Sequence, residues 1–356
     1  MEDTHISSSD QNGLRLHLCN TDKFKTMSIM LMMQAPLEED LITARSLIPH
    51  ILNGGSTNYP NRKRIKQNNR SETMPHLLEI KNITKSFGHK VVLKEVTFNV
   101  PFGSIVAFIG DNGAGKSTTF KAILGLITKD SGTVKIFGEE NIDKHAKLKE
   151  KIGVVFDAMN LPAHLTIKQL NKVFEKLFKS WDQAQFYRLV HAFSLPTDQK
   201  VNKLSRGMSM KLSVAVALSH NAKLLILDEA TGGLDPSSRE ELLDELKNFV
   251  STSNGGILLS SHIMSDVEKI ASHVVFIKDG EILLNEEKDK IFESYAIVDI
   301  DEKQLTLLDK DIVVAKRNSG SYFSVLISDK QALPKGIPAK TISMEEISVL
   351  LTRSEK

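Results

Sequence analysis

Cysteine is nearly absent from this 356-residue chain. Cys19 stands alone, so no intramolecular disulfide can form and the fold must rest on a buried core. No apolar run approaches the roughly 20 residues needed to span a bilayer. The longest candidates, 29–33 and 224–227, are strand-sized, so any membrane role needs a partner chain. The opening Met1-Glu2-Asp3 has neither the basic region nor the apolar stretch of a secretory signal, and a cytosolic location is expected. Charge of one sign is also lacking: 46 Lys and Arg against 44 Asp and Glu leave +2, too little to hold nucleic acid or a membrane surface by a global field. What is present is ordinary globular composition, 41% hydrophobic and 25% charged. At about 150 residues per domain this length suggests roughly two domains. Function must therefore lie in specific sites.

A polar head and an apolar stretch (14–33) precede a helical pattern near 37–52 and the turn-rich 53–60. Arg62, Lys63, Arg64, Lys66 and Arg70 follow, with no acidic residue across 61–70. That tract reads as a solvated linker, and without interleaved aromatics it is not a nucleic-acid grip. From about residue 75 short β-branched runs alternate with helical periods, as a sheet with crossover helices requires, and this texture extends to about 290. The remainder alternates short apolar runs (296–300, 311–315, 322–327) with a helical 344–351, suggesting a small appended α/β element.

Residues 104–109 read as a buried strand running directly into Gly110-Asp111-Asn112-Gly113-Ala114-Gly115-Lys116-Ser117-Thr118, with a helical pattern over 119–127. The spacing G-x-x-x-x-G-K-S is that of a phosphate-binding loop, and strand before with helix after is its required context. The glycines let the backbone turn so that successive N–H groups face phosphate oxygens, and the helix adds its positive N-terminal end. Lys116 then places a cation on the β- and γ-phosphates while the Ser117 hydroxyl ligates Mg²⁺. A second apolar run, 224–227, ends in Asp228-Glu229, setting two carboxylates at the carboxyl edge of a parallel sheet, where ligands of such sheets bind. Asp228 is expected to hold Mg²⁺ through water, and Glu229 to polarise the water that attacks the γ-phosphate.

Four further segments give residues 77–290 a resemblance to the ATP-binding subunits of ABC transporters: Thr84-Lys85-Ser86-Phe87-Gly88, Leu204-Ser205-Arg206-Gly207-Met208, Gly232-Gly233-Leu234-Asp235-Pro236 and the isolated His262. The resemblance implies ATP as substrate and Mg²⁺ as cofactor. It implies that Phe87 stacks on adenine, and that Ser205 and Gly207 of the signature reach the γ-phosphate bound by an opposing subunit. It also implies that Asp235 of the D-loop links the two sites, and that His262 contacts the γ-phosphate and orients the water. Arg206 and Met208 depart from the common Gly and Gln, and Ala230 replaces the usual Pro. Asp157, in Gly153-Val154-Val155-Phe156-Asp157, stands where relatives carry the Q-loop glutamine; one methylene shorter, it could still reach Mg²⁺ directly or through water.

These variants are similar to a bacterial subgroup, the ATPases of YtrB-type and phenol-soluble-modulin exporters, which handle antimicrobial or amphipathic peptides. The implied partners are transmembrane permease subunits and a second ATPase, identical or not, at the inner face of the membrane; no nucleic acid is expected. Leu170, Val173, Phe174, Leu177 and Phe178, then Phe186, Leu189, Val190 and Phe193, recur at helical spacing and suggest a helical subdomain. A soluble ABC-type regulatory ATPase is the alternative. Against it, the chain has one P-loop and no long coiled coil between that loop and the signature.

Asn12-Gly13-Leu14-Arg15-Leu16-His17 and Ala35-Pro36-Leu37-Glu38-Glu39, with neighbouring segments, resemble the amino-terminal edge of insulinase-type metallopeptidase homologues over 13–66. Zinc chemistry is not expected, since His76-Leu77-Leu78-Glu79 ends in Ile80 where the second His ligand belongs. The expected fold class is α/β: a P-loop NTPase core of parallel sheet with an antiparallel subdomain, a helical ABC subdomain and a small C-terminal α/β extension. The expected division is 1–74, a peptidase-like fragment with linker; 75–290, the ATP-binding domain, its helical part about 158–220; and 291–356, an accessory region.

Overall fold

The computed structural model describes residues 76–354 except 141, 143, 144, 157–160 and 335, and before them the backbone of three strands. Those strands, β1 (His5–Gln11), β2 (Leu14–Asn20) and β3 (Ile29–Leu31), pair antiparallel in that order. The helix expected at 37–52, the basic tract and Asp157 lie outside the described residues.

β4 (His76–Phe87) and β5 (Lys90–Pro101) form a long hairpin, joined by β7 (Ser131–Ile136) and β8 (Glu139–Glu140) in an antiparallel sheet ordered β5-β4-β7-β8. The period of two is plain in β5, where Val96, Phe98 and Val100 are buried and Thr97 and Asn99 between them are not. A second sheet runs β13-β12-β6-β11-β10-β9, built from β6 (Ile105–Ile109), β9 (Ile152–Val155), β10 (Leu224–Asp228), β11 (Gly256–Ser260), β12 (His273–Lys278) and β13 (Glu281–Glu287). All pairings are parallel except that of the edge strand β13. β6, β10 and β11 are buried at every residue, and their unbroken apolar runs are what a sheet covered on both faces requires.

One face packs on the antiparallel sheet and on α1 (Lys116–Ile123), with Phe108 set between Phe98 and Phe120 at centroid distances of 4.9 and 5.9 Å. The other carries α5 (Arg206–Ala217) and α6 (Pro236–Ser253). α2 (Ala146–Lys149) precedes β9. α3 (Ile167–Leu177) and α4 (Gln183–Ala192) form a helical lobe in which Leu170, Phe174, Phe186, Leu189, Val190 and Phe193 close on Leu212, Ala215 and Val216 of α5. Val173 and Phe178 sit at its margin and Leu177 is exposed. α5 serves both lobes, since Met210, Val214 and Ala217 face the sheet's own core. A bidentate Arg188–Glu245 ion pair ties α4 to α6. α5 begins inside the signature segment, because the Ser205 Oγ accepts from the Met208 N–H and caps it.

After α7 (Met264–Ile270) and α8 (Lys288–Ser294), the chain forms an antiparallel sheet ordered β14-β16-β15, from β14 (Ala296–Ile300), β15 (Val313–Asn318) and β16 (Phe323–Ile327), with the short α9 (Glu302–Leu305). α10 (Met344–Arg353) starts with a Ser343–Glu346 capping box. This region is joined to the larger sheet by more than a tether: Ile347, Leu350 and Leu351 of α10 lie in one apolar cluster with Ala107 and Ile109 of β6 and Met264 and Val267 of α7. No helix among the described residues is long and apolar enough to cross a membrane.

Candidate nucleotide-binding site

β6 delivers the chain to Gly110, where a Cβ would stand 2.3 Å from the Ile277 carbonyl oxygen and 2.9 Å from its Cγ2, so β12 admits only glycine there. Gly115 closes the loop at φ 115°, and a Cβ on it would meet Leu93 Cδ2 of β5 at 2.8 Å. Pinned between the two sheets, the loop turns straight into α1. Within it the Ala114 N–H already donates to the Asp111 carbonyl, and the Ala114 methyl is part of the core.

Lys116 is almost fully buried. Its Nζ donates to the Gly110 carbonyl at 2.6 Å and to that of Asp111 at 3.2 Å, and stands 3.8 Å from Glu229 Oε1. Ser117 Oγ donates to Asp228 Oδ2 at 2.8 Å across the end of β10. Asp228 Oδ1 accepts from Ser260 Oγ at 2.6 Å, and that same hydroxyl accepts the Glu229 N–H at 2.9 Å. Glu229 adopts φ 55°, a left-handed conformation that costs a side-chain-bearing residue about 1–2 kcal/mol and aims its carboxylate back over the loop. There Oε2 accepts a 2.6 Å bond from His262 Nδ1. Because an ionised carboxylate can only accept, Nδ1 carries a proton; Nε2 is left as an acceptor in the neutral ring and as a second donor when it too is protonated.

A cleft of about 400 Å³ joins Lys116, Ser117, Thr118, Asp111, Asn112, Gly113 and the two acids to Phe87. Phe87 is 52% exposed, with Lys85 Nζ 5.2 Å from its ring centre, so it is a platform and not a core residue. A second hollow of about 470 Å³ adjoins this cleft, sharing Asp111, Asn112 and Glu229 and lined also by His262, Arg206, Gly232 and Gly233. Ser205 and Gly207 do not line the first cleft: Ser205 caps α5, and a Cβ on Gly207 would stand 3.2 Å from Leu234 Cδ2. Asp235 caps α6 through the Ser238 N–H, and that hydrogen bond holds its carboxyl below the usual range. The sequence pattern passed over Ser260, which binds both Asp228 and Glu229. The signal was there in the Ser260-Ser261 pair just before His262, but the role exists only through the β10–β11 register that sets Ser260 beside Asp228.

The donor set fits Mg²⁺. Ser117 Oγ and the Asp228 carboxylate are hard oxygens already converging, and an ion that keeps several waters needs few protein ligands. When bound, such an ion neutralises charge on the β- and γ-phosphate oxygens.

The ABC transporter family model matches residues 93–232. The lantibiotic transport ATP-binding protein SrtF of Streptococcus pyogenes is 36% identical over 215 residues, 60% of this chain and 92% of that protein. The Nod factor export ATP-binding protein I of Burkholderia lata is 29% identical over 302 residues, 78% of this chain and 97% of that protein. A solved ATP-binding subunit of an ABC transporter aligns with TM-score 0.56 at 30% identity, covering 61% of this chain and 92% of its own. The chain thus belongs to the family of ABC transporter ATP-binding proteins. It is an ATPase of that kind, with ATP as substrate and Mg²⁺ as cofactor. The peptidase resemblance over 13–66 gains nothing from these relatives, and most of those residues lie outside the described region.

Proposed function

We propose that this chain powers export of peptides or other amphipathic, antimicrobial compounds through a separate membrane permease, from the cytoplasmic face. The chain of bonds of 2.6–2.9 Å through Ser117, Asp228, Ser260, Glu229 and His262, with Lys116 Nζ 3.8 Å from Glu229, carries the chemical part of the reading. Lys116 and the loop N–H groups offset negative charge that grows on the transferring phosphoryl group. Glu229 takes the proton of the attacking water, and His262, oriented by Glu229, donates from a protonated Nε2 to the γ-phosphate. Phe87 offers its face to the base, where stacking is worth about 1–3 kcal/mol.

Ser205 and Gly207 stand outside their own chain's cleft, which supports completion of each site by a second chain, identical or related. The peptide cargo rests on the name of the SrtF relative. The working division is an ATPase unit over 75–290, with its helical part about 158–220, and an accessory region over 291–356. Co-purification with a permease followed by ATPase assay tests the whole. Turnover should rise when an amphipathic peptide is added to the reconstituted complex. A chain that hydrolyses ATP, binds no permease and ignores peptide would instead be a soluble regulatory ATPase.

A further inference from the structure

Three consecutive residues just past the D-loop each reach a different neighbour. Arg239 Nη2 donates to the Leu234 carbonyl at 3.1 Å, while its Nε stands 3.9 Å from Asp266 Oδ2 of α7. Glu240 pairs with Lys269, also on α7. Glu241 Oε2 accepts from Lys211 Nζ of α5 at 3.0 Å. α6 is thereby bonded at one end to the helix that opens with the signature, and to the helix that follows His262. We propose that Arg239, Glu241, Lys211 and Asp266 are positioning residues that couple the signature helix α5, and so the state of the opposing site, to the placement of His262 in this chain's own cleft.

One buried member in each pair separates them from fully solvated surface bridges, which are worth little, although Glu241 itself is exposed. Asp266 is 3% exposed and Lys211 7%, with the Lys211 ammonium also 5.6 Å from the Phe193 ring centre. The Arg239–Asp266 contact is unfinished: Arg239 Nε and Asp266 Oδ2 are both buried, and neither has a hydrogen-bond partner. Buried groups left unmatched are costly, so a small approach of the two is rewarded. Its trigger is adjacent. Gly207 lies against Leu234, whose carbonyl accepts from Arg239 Nη2, so displacing the first turn of α5 moves Leu234 and with it Arg239. A closer Arg239–Asp266 contact is the second arrangement that the proposed coupling calls for. This inference rests on the site assignment above and is independent of cargo.

The test is a double-mutant cycle in the full chain, with Lys211→Met and Asp266→Asn. The two residues lie on different helices and have different partners, so independent structural defects should add. Each change should lower kcat by about 2- to 30-fold while the ATP KM stays within about twofold. Once one link is cut the other carries nothing, so the double variant should be no slower than the slower single, although the losses in Tm add. Should Asp266→Asn fail to fold, Arg239→Lys, which keeps the charge and loses the Nη2 bond to the Leu234 carbonyl, takes its place with the same expectation. Multiplying effects on kcat, or singles that leave kcat at the wild-type value, would overturn the coupling. A Glu229→Gln control separates the two levels: turnover surviving it would sink the site assignment and the coupling together, whereas a dead control with multiplying effects sinks the coupling alone.

Discussion

Replacing Ser260 by Ala removes one oxygen and disturbs two groups at once. The hydroxyl is fully buried, donates to Asp228 Oδ1 at 2.6 Å and accepts the Glu229 N–H at 2.9 Å. A hydrogen bond to a charged group contributes about 1.5–3 kcal/mol, and a buried N–H left without an acceptor costs about 1–3 kcal/mol. Since one atom makes both bonds the two overlap, and a net loss of about 2–4 kcal/mol is expected. At about 2 °C per kcal/mol for a chain of this size, Tm should fall by about 4–8 °C in differential scanning calorimetry. The second consequence is kinetic. Ser260 holds the backbone of a residue kept at φ 55°, so without it Glu229 relaxes and its carboxylate leaves the attacking water. A misplacement near 1 Å costs about 100-fold, so kcat should drop by about 10- to 100-fold with little change in ATP affinity. A Ser260→Ala variant that melts and turns over like the parent would show that neither bond matters and that the positioning of Glu229 has been misread.

Glu229→Gln keeps the shape of the site and deletes the base, so ATP should bind normally while single-turnover hydrolysis slows by about 10²–10⁴-fold. Lys116→Ala strips the loop of its buried cation and should raise the ATP dissociation constant by about 10- to 100-fold in titration calorimetry; unchanged affinity would refute the cradle. His220, stacked on Phe178 at 4.4 Å with Nδ1–H on the Glu150 carbonyl, has its pKa lowered chiefly by burial. Above its unfolded value of about 6.5 it is neutral in both states; below it the unfolded chain takes up a proton that the folded one resists. Stability should therefore fall as pH drops below about 6.5 and level off under the lower native pKa, and urea titrations of His220→Gln should show a shallower loss.

What could be read from the bare chain was whatever is continuous in it. The phosphate loop is one segment whose glycine positions are dictated by backbone close to Ile277 and Leu93, so its spacing alone betrays it. Glu229 was legible because, with Asp228, it ends the apolar run 224–227, and His262 because the family resemblance singles it out. Ser260 was not, since serine is common and its partner lies 32 residues away in another strand. The start of α5 was not legible, because apolar periodicity cannot see a cap: the first turn is Arg206-Gly207-Met208, held by the Ser205 hydroxyl. The alternating runs after residue 296 predicted strands, but a period of two does not say which faces meet. Ile297, Ala315 and Leu326 turn to the cluster shared with β6, while Val298, Val325 and Ile327 are covered by their own connecting segments.

The strand that feeds the phosphate loop is thus upholstered on one flank by the last helix of the described chain. Leu350 and Leu351 screen from water the very side chains, Ala107 and Ile109, that sit just upstream of Gly110. A shortened version stopping near residue 290 would not be the bare engine of a longer machine. It would be a protein with an oily seam beside its fuel port, and it would need polar replacements at Ile109, Met264 and Val267 before it stayed in solution.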